Sequence, residues 1–401
     1  MPPPKPPSYI NPTSFPIFSL SWITTTSPSN EPASQIAYSG GGGSAKTGVG
    51  NSIILNTHKI DTGEQICVNV HLHPLRGMLA CVGHEIRLYS FTATLLTVAH
   101  CDESYGGVNC AAFSLCGERV VAGCENGTVL FYTYSNDTLT LLGATKTHEK
   151  AVCSVMIRQD RIECVSGAKD GTARVWDTDT GDELAVLKCS IADLPGMKPL
   201  KQRASKRPMP ILVRGCAYGI DGSIYTVASA KRGRAFLTRW VLQGKQYVEV
   251  ARVACSESPI SAISISEDRY TLALGGVDGT VTLFDVETLK PLRSFFEVHD
   301  LPVTCIAARP AYVGSELEIV NVISSSADNK MAFLTMRREK MGWTAIIVIL
   351  VLPILFGILA KYFFEECGDE FTTMSFDKCT ECMMNSLVAP GTRPGIMIPP
   401  Y

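Results

Sequence analysis

Seven times along the chain the same short plan returns: an apolar strand ending in small residues, a tight turn, and an alternating apolar strand running back. It is clearest in ERVVAGCENGTVLFY (118–132), IECVSGAKDGTARVWD (162–177) and TLALGGVDGTVTLFD (271–285). Asn-Gly and Asp-Gly tolerate the positive φ that two-residue hairpins demand. Weaker copies occupy 34–56, 78–90, 224–240 and 320–336. A further apolar strand, such as VCSVMI, ISAISIS or VTCIAA, lies upstream of most copies. Four short strands in every forty-odd residues predict an all-β fold, a β-propeller, and seven turns predict seven blades within residues 1–340.

The fourth unit also carries His148, Ser166, Asp170 and Trp176. Ser, His and Asp invite comparison with a hydrolase triad. A pattern that recurs weakly in neighbouring repeats is packing, not a site. The four positions resemble the buried hydrogen-bonding tetrad of WD-repeat proteins. No other constellation suits catalysis, and the seven histidines lack metal-ligand spacing. The formal net charge of −2 gives no reason to expect nucleic acid as the main partner. Of fifteen cysteines, twelve lie before residue 306 without disulfide or zinc spacing, so they are expected to be reduced.

WTAIIVILVLPILFGILA (343–360) carries no charge, and as a helix it would rise about 27 Å, close to the thickness of a bilayer core. Trp343, Tyr362, Phe363 and Phe364 flank it as interfacial aromatics. A transmembrane helix is the expectation. Arg337, Arg338 and Lys340 precede it, whereas Glu365, Glu366, Asp369 and Glu370 follow. That charge bias puts 1–340 in the cytosol and 361–401 in the lumen. The sequons at Asn126 and Asn136 would then escape glycosylation. The N-terminus lacks the basic start and apolar run of a signal peptide. An insertion at 190–210 holds the basic stretch MKPLKQRASKRPMP, read as a solvated loop, or else as attracted to an anionic leaflet or to DNA. The tail contains Cys367, Cys379 and Cys382, for which an incidental disulfide outweighs a redox role.

SGGGGSAKTGVGNS (39–52) comes within one residue of a nucleotide-binding loop, with Ala45 where glycine is required. Such a loop needs a helix after it to complete the anion site. The segment NSIILN that follows is β-branched and aligns with the returning strands of other units. In the fourth unit four residues separate Gly167 from Thr172; here eleven separate Gly40 from Ser52. The glycine run is thus an expanded hairpin turn, and no nucleotide is expected on this chain. Glycines let backbone carbonyls and amides point inward. The entropic cost of ordering such a loop points to a cation or a partner that orders it.

The loop GGGGSAKTGVGN in the first unit, together with the WD-type repeats and the single C-terminal span, resembles the endoplasmic reticulum guanine nucleotide exchange factors of COPII assembly, the prolactin regulatory element-binding protein (PREB) family. The match falls on Gly40, Gly41, Gly42, Gly43, Gly48, Val49 and Asn51, while Gly50 and Ser44 depart from some members. The resemblance implies exchange on a Sar-type small GTPase at the endoplasmic reticulum membrane, without covalent chemistry. It makes Asn51 the key polar contact and Val49 its apolar neighbour. Gly48, Gly50, Lys46 and Thr47 become further partner contacts. It also implies a potassium ion held by backbone carbonyls of Gly41, Gly42, Gly43 and Ser44. Two other readings remain: a membrane-tethered propeller scaffold without exchange activity, and a transcriptional regulator.

Overall fold

The computed structural model describes residues 9–26, 32–43, 48–159, 163–195, 197, 210–310 and 318–337, together with 351, 353–355, 357–358 and 361. Chain contacts divide it into two units, Met1–Arg338 and Glu339–Tyr401. The first contains seven four-stranded antiparallel sheets, each built from chain-sequential strands except at one seam.

Blade 1 is β2 (Ile17–Thr26), β3 (Pro32–Gly40), β4 (Asn51–Leu55) and β5 (His58–Gly63). Blade 2 is β6 (Cys67–His73), β7 (Gly77–Val82), β8 (Glu85–Tyr89) and β9 (Leu95–His100). Blade 3 is β10 (Val108–Phe113), β11 (Arg119–Cys124), β12 (Thr128–Ser135) and β13 (Thr138–Lys146). Blade 4 is β14 (Val152–Ile157), β15 (Glu163–Ala168), β16 (Thr172–Asp177) and β17 (Glu183–Lys188). Blade 5 is β18 (Ile211–Tyr218), β19 (Ile224–Ala230), β20 (Ala235–Gln243) and β21 (Gln246–Ser256). Blade 6 is β22 (Ile260–Ile265), β23 (Thr271–Gly276), β24 (Val281–Asp285) and β25 (Pro291–Phe295). Blade 7 takes β26 (Val303–Pro310), β27 (Glu318–Ser326) and β28 (Lys330–Arg337) from the end of the domain and β1 (Tyr9–Pro12) from its start.

That seam closes the ring. Tyr9 to Pro12 pair antiparallel with Phe333 to Lys330, so the N-terminal strand becomes the outer strand of the last blade. Closure removes the sheet edge that β28 would otherwise present. The expected seven-bladed propeller is the observed fold.

The blades are held by apolar faces meeting between sheets. Between blades 2 and 3, for instance, Leu79, Cys81, Ile86 and Leu88 join Phe113, Val120, Leu130 and Tyr132 in one buried cluster. All twelve described cysteines are free, and burial pushes the thiols of Cys67, Cys124 and Cys216 up to about 12. A thiol so far from ionising is an inert core residue.

Topology sorts the connections onto two rims. Within a blade the innermost strand always runs the same way. The first and third turns of every blade therefore share one rim; the second turns and the links between blades share the other. The residues described in the stretch 343–361 are helical. Among the described residues no helix is long and apolar enough to cross a membrane. Most of the expected span, the basic insertion from 198 to 209 and the tail beyond 361 lie outside the described residues.

Candidate functional site

The glycine run links β3 to β4 on the rim of second turns. Its two legs are fastened by backbone. Gly41 N–H donates to the Pro16 carbonyl at 3.2 Å, and Gly42 N–H donates to the Val49 carbonyl at 3.2 Å. Two glycines are sterically required. A Cβ on Gly40 would stand 1.8 Å from the Pro16 carbonyl oxygen. Gly41 has φ +144°, and a Cβ there would lie 2.4 Å from Asn51 Oδ1 and 2.6 Å from Asn51 Cα. Any side chain at either position collides with backbone.

Asn51 begins β4 at a bulge and is only 2% exposed. Its Oδ1 accepts from Gly43 N–H at 2.9 Å, and its Nδ2 donates to the carbonyls of Gly43 at 3.3 Å and Gly63 at 3.0 Å. The amide thus staples the loop to the end of β5. The structure gives Asn51 a different station from the polar contact that the resemblance implies: its donors and acceptor are spent inside the chain. The residues that face outward are Gly48 and Gly50, both exposed, with Val49 half-buried between them. Gly48 has φ +76° and open space at its Cβ position. Ser44, Lys46 and Thr47 lie outside the described residues.

Around Gly41 the donor set can be tested against a cation. Asn51 Oδ1 and the Gly50 carbonyl oxygen converge within 2.4 and 2.9 Å of the one point that a Cβ would fill. Neutral carbonyl and amide oxygens are the ligands an alkali cation takes. That point also lies 2.6 Å from Asn51 Cα, and Oδ1 already accepts from Gly43 N–H, so it does not seat a cation; only main-chain carbonyls elsewhere in the loop could. Among the described residues no group of three or more His, Cys, Asp and Glu side chains could hold a metal.

Beside the loop, Gly43 sits against Ile66, which lines a depression of about 260 Å³ with Val68, Val108, Glu64 and Glu125. On the same rim Val277, Phe296 and Leu301 are exposed at the junction of blades 6 and 7. Sequence reading did not find these rim residues or the Pro16 and Gly63 carbonyls, because only the folded ring brings them together.

The fourth-blade tetrad is assembled as the pattern implied. His148 Nδ1–H donates to Asp170 Oδ2 at 3.0 Å. Asp170 can only accept, so Nε2 is left to accept the Ser166 hydroxyl at 2.8 Å. Trp176 Nε1–H donates to Ser166 Oγ at 2.8 Å. Burial alone would raise the Asp170 pKa, but the hydrogen bonds from His148 and Thr172 outweigh it and hold the carboxyl below the usual range. Ser166 is fully buried and sandwiched, out of reach of any substrate. A second set was missed: His299 meets Asp328 at 3.2 Å and Ser324 at 2.9 Å, with Leu334 in the tryptophan place. Blade 5 keeps one bond of the pattern, Trp240 Nε1 to Thr226 Oγ1 at 2.9 Å.

The innermost strands line a central channel of about 480 Å³ that includes His71, His73, Phe113, Met156, Ile265 and Glu267. Burial and the neighbouring His73 push the His71 imidazole down to about 4.

The model for the WD domain, G-beta repeat matches residues 93–133 and 139–177, running from β9 into β12 and from β13 to β16. SEC12-like protein 1 of Arabidopsis thaliana is 22% identical over 333 residues, 81% of this chain and 77% of that protein. SEC12-like protein 2 of the same plant is 22% identical over 57% of this chain and 51% of its own length. Eukaryotic translation initiation factor 3 subunit I of Kluyveromyces lactis is 28% identical over 193 residues, 47% of this chain. The chain spans about half the length of that relative, 49%.

Proposed function

We propose that this WD-repeat propeller is a membrane-anchored guanine nucleotide exchange factor that promotes GDP release from a Sar-type small GTPase and so starts COPII coat assembly at the endoplasmic reticulum. The observation that carries the proposal is the stapled glycine loop: a ten-residue turn where the corresponding turns of the other blades have two to four residues, pinned at its base by Asn51. Similarity to SEC12-like protein 1 along 81% of the chain supports the COPII-related reading.

The geometry supports a role for each loop residue. Val49, flanked by Gly48 and Gly50, presents an apolar contact with open backbone on either side. Asn51 acts through the loop as a positioning residue, holding Gly43 and Gly63 so that the base of the loop is fixed before it meets the GTPase. Ordering in advance lowers the entropic cost of docking. Lys46 and Thr47 extend the contact surface, and exposed Val277, Phe296 and Leu301 enlarge it on the same rim. A potassium ion bound among the carbonyls of residues 41–44 stiffens the arch further.

A GTPase grips GDP through segments that order and disorder. A loop that binds the nucleotide-free arrangement better than the loaded one shifts the population by that difference in affinity. By linkage, GDP then binds less tightly while the loop is docked. No bond is made or broken, and the membrane anchor raises the local encounter rate.

The test is GDP release from a purified Sar-type GTPase with residues 1–340, whose ring is closed by its own N-terminal strand. Release should accelerate with the wild-type ring and fall back with Val49→Ala or with potassium replaced by a larger cation. A scaffold would bind the GTPase and leave its off-rate unchanged.

A further inference from the structure

Exposed apolar side chains mark the rim opposite the glycine loop, one to a turn. Leu75 in the β6–β7 turn is 77% exposed, Leu115 in the β10–β11 turn 55%, Ile220 in the β18–β19 turn 69% and Tyr270 in the β22–β23 turn 63%. These are four of the five first turns that contain described residues, and Leu115 among them lines the mouth of the central channel. Single exposed leucines are ordinary, but a ring of them on one rim marks an interaction surface.

The chain itself indicates what covers it. β28 is the third strand of its blade, so it ends at Arg337 on this same rim. The uncharged run begins at Trp343, and six peptide steps extend at most about 20 Å. So short a tether keeps the end of β28 within about that distance of any bilayer the run enters. The exposed charges offer no attraction to an anionic leaflet: Arg158 and Arg269 are buried, which leaves Arg76 against Glu118, Asp221, Glu267 and Asp268 on the first turns. Asp221 is paired with Arg239 at 2.7 Å, and Glu267 accepts from Thr24 N–H at 3.2 Å.

We infer that the rim of first turns, through Leu75, Leu115, Ile220 and Tyr270, rests on the interfacial layer of a zwitterionic bilayer, so that the glycine loop faces away from it. The inference rests on the proposed membrane anchor. It places the loop one propeller thickness from the lipid, roughly 20 Å for strands of about six residues. A GTPase is then met on the open side of the ring, unobstructed by the membrane.

Cys116 in the β10–β11 turn, the exposed cysteine among the described residues, reports on this rim without engineering. Lys169, exposed in the second turn of blade 4, reports on the other when changed to Cys in a Cys116→Ser background. The experiment follows reaction with a membrane-impermeant thiol reagent, comparing the full chain in phosphatidylcholine proteoliposomes with the soluble ring. Cys116 should react at least about tenfold more slowly in proteoliposomes, with or without added phosphatidylserine, while position 169 reacts equally in both. Leu75→Glu combined with Ile220→Glu should restore much of the Cys116 rate. Equal Cys116 rates in a chain that resists alkaline extraction would overturn the docked rim and leave the anchor standing. So would slow labelling that the double substitution does not relieve. Release of the chain by alkaline extraction would overturn the anchor and this inference with it.

Discussion

Replacing Asn51 by alanine removes three hydrogen bonds at once, to Gly43 N–H, the Gly43 carbonyl and the Gly63 carbonyl. A typical bond contributes about 1 kcal/mol net, and part of the loss is recovered by water once the loop opens. The open state of the loop should gain about 2–3 kcal/mol, a rise of roughly 30- to 150-fold in its population. The β3–β4 pairing of Ala37 to Gly40 with Leu55 to Ser52 does not depend on the amide, so the ring should stay folded. Hydrogen exchange reads both parts in one experiment. The Gly43 amide should exchange faster by about the stated factor, while the amides of the fourth-blade strands keep their wild-type protection. In the release assay the variant should lose most of its stimulation. Unchanged protection at Gly43 would refute the stapling argument. Lost protection with full exchange activity would refute the link between loop order and function.

Three further outcomes follow from the ring. The folded-state pKa of His71 is depressed to about 4, and burial lowers those of His73 and His299 as well. The unfolded chain therefore takes up protons that the folded chain refuses. Stability in denaturant titrations should fall as pH drops from about 6.5 toward 4, with His71 contributing up to about 3 kcal/mol, and His71→Gln should flatten that slope. Ser166→Ala leaves His148 Nε2 and Trp176 Nε1 buried without their partner, at about 2–4 kcal/mol. For a ring of this size that is a fall of about 3–6 °C in Tm, with exchange activity retained at 25 °C. Deleting residues 1–12 frees the β28 edge, so the shortened ring should melt earlier and associate at high concentration in sedimentation runs.

The propeller was legible because its punctuation is local. Asn126-Gly127, Asp170-Gly171 and Asp278-Gly279 all hold a glycine at positive φ between paired strands, as their hairpins require. The expanded first-blade turn was legible for the same reason, by contrast with its neighbours. The seam was not. Tyr9–Pro12 is short and proline-flanked, and its partner strand lies more than three hundred residues away, so no local pattern announces it. The His299 set was hidden by a longer first turn in blade 7, which spreads His299 and Ser324 farther apart than His148 and Ser166. The resemblance pointed to Asn51 as a polar contact for a partner, whereas the structure turns its amide inward to the loop. Whether an amide faces a partner or its own loop depends on where the Gly43 and Gly63 carbonyls come to rest, and only the assembled blade fixes that.

The central claim is tested most directly by the GDP off-rate of a Sar-type GTPase measured with and without the purified ring. Coupling free energies of 1–3 kcal/mol between two ligands correspond to about 5- to 150-fold changes in affinity, and the account predicts acceleration within that range. An off-rate that the ring leaves unchanged at concentrations saturating the GTPase would contradict it.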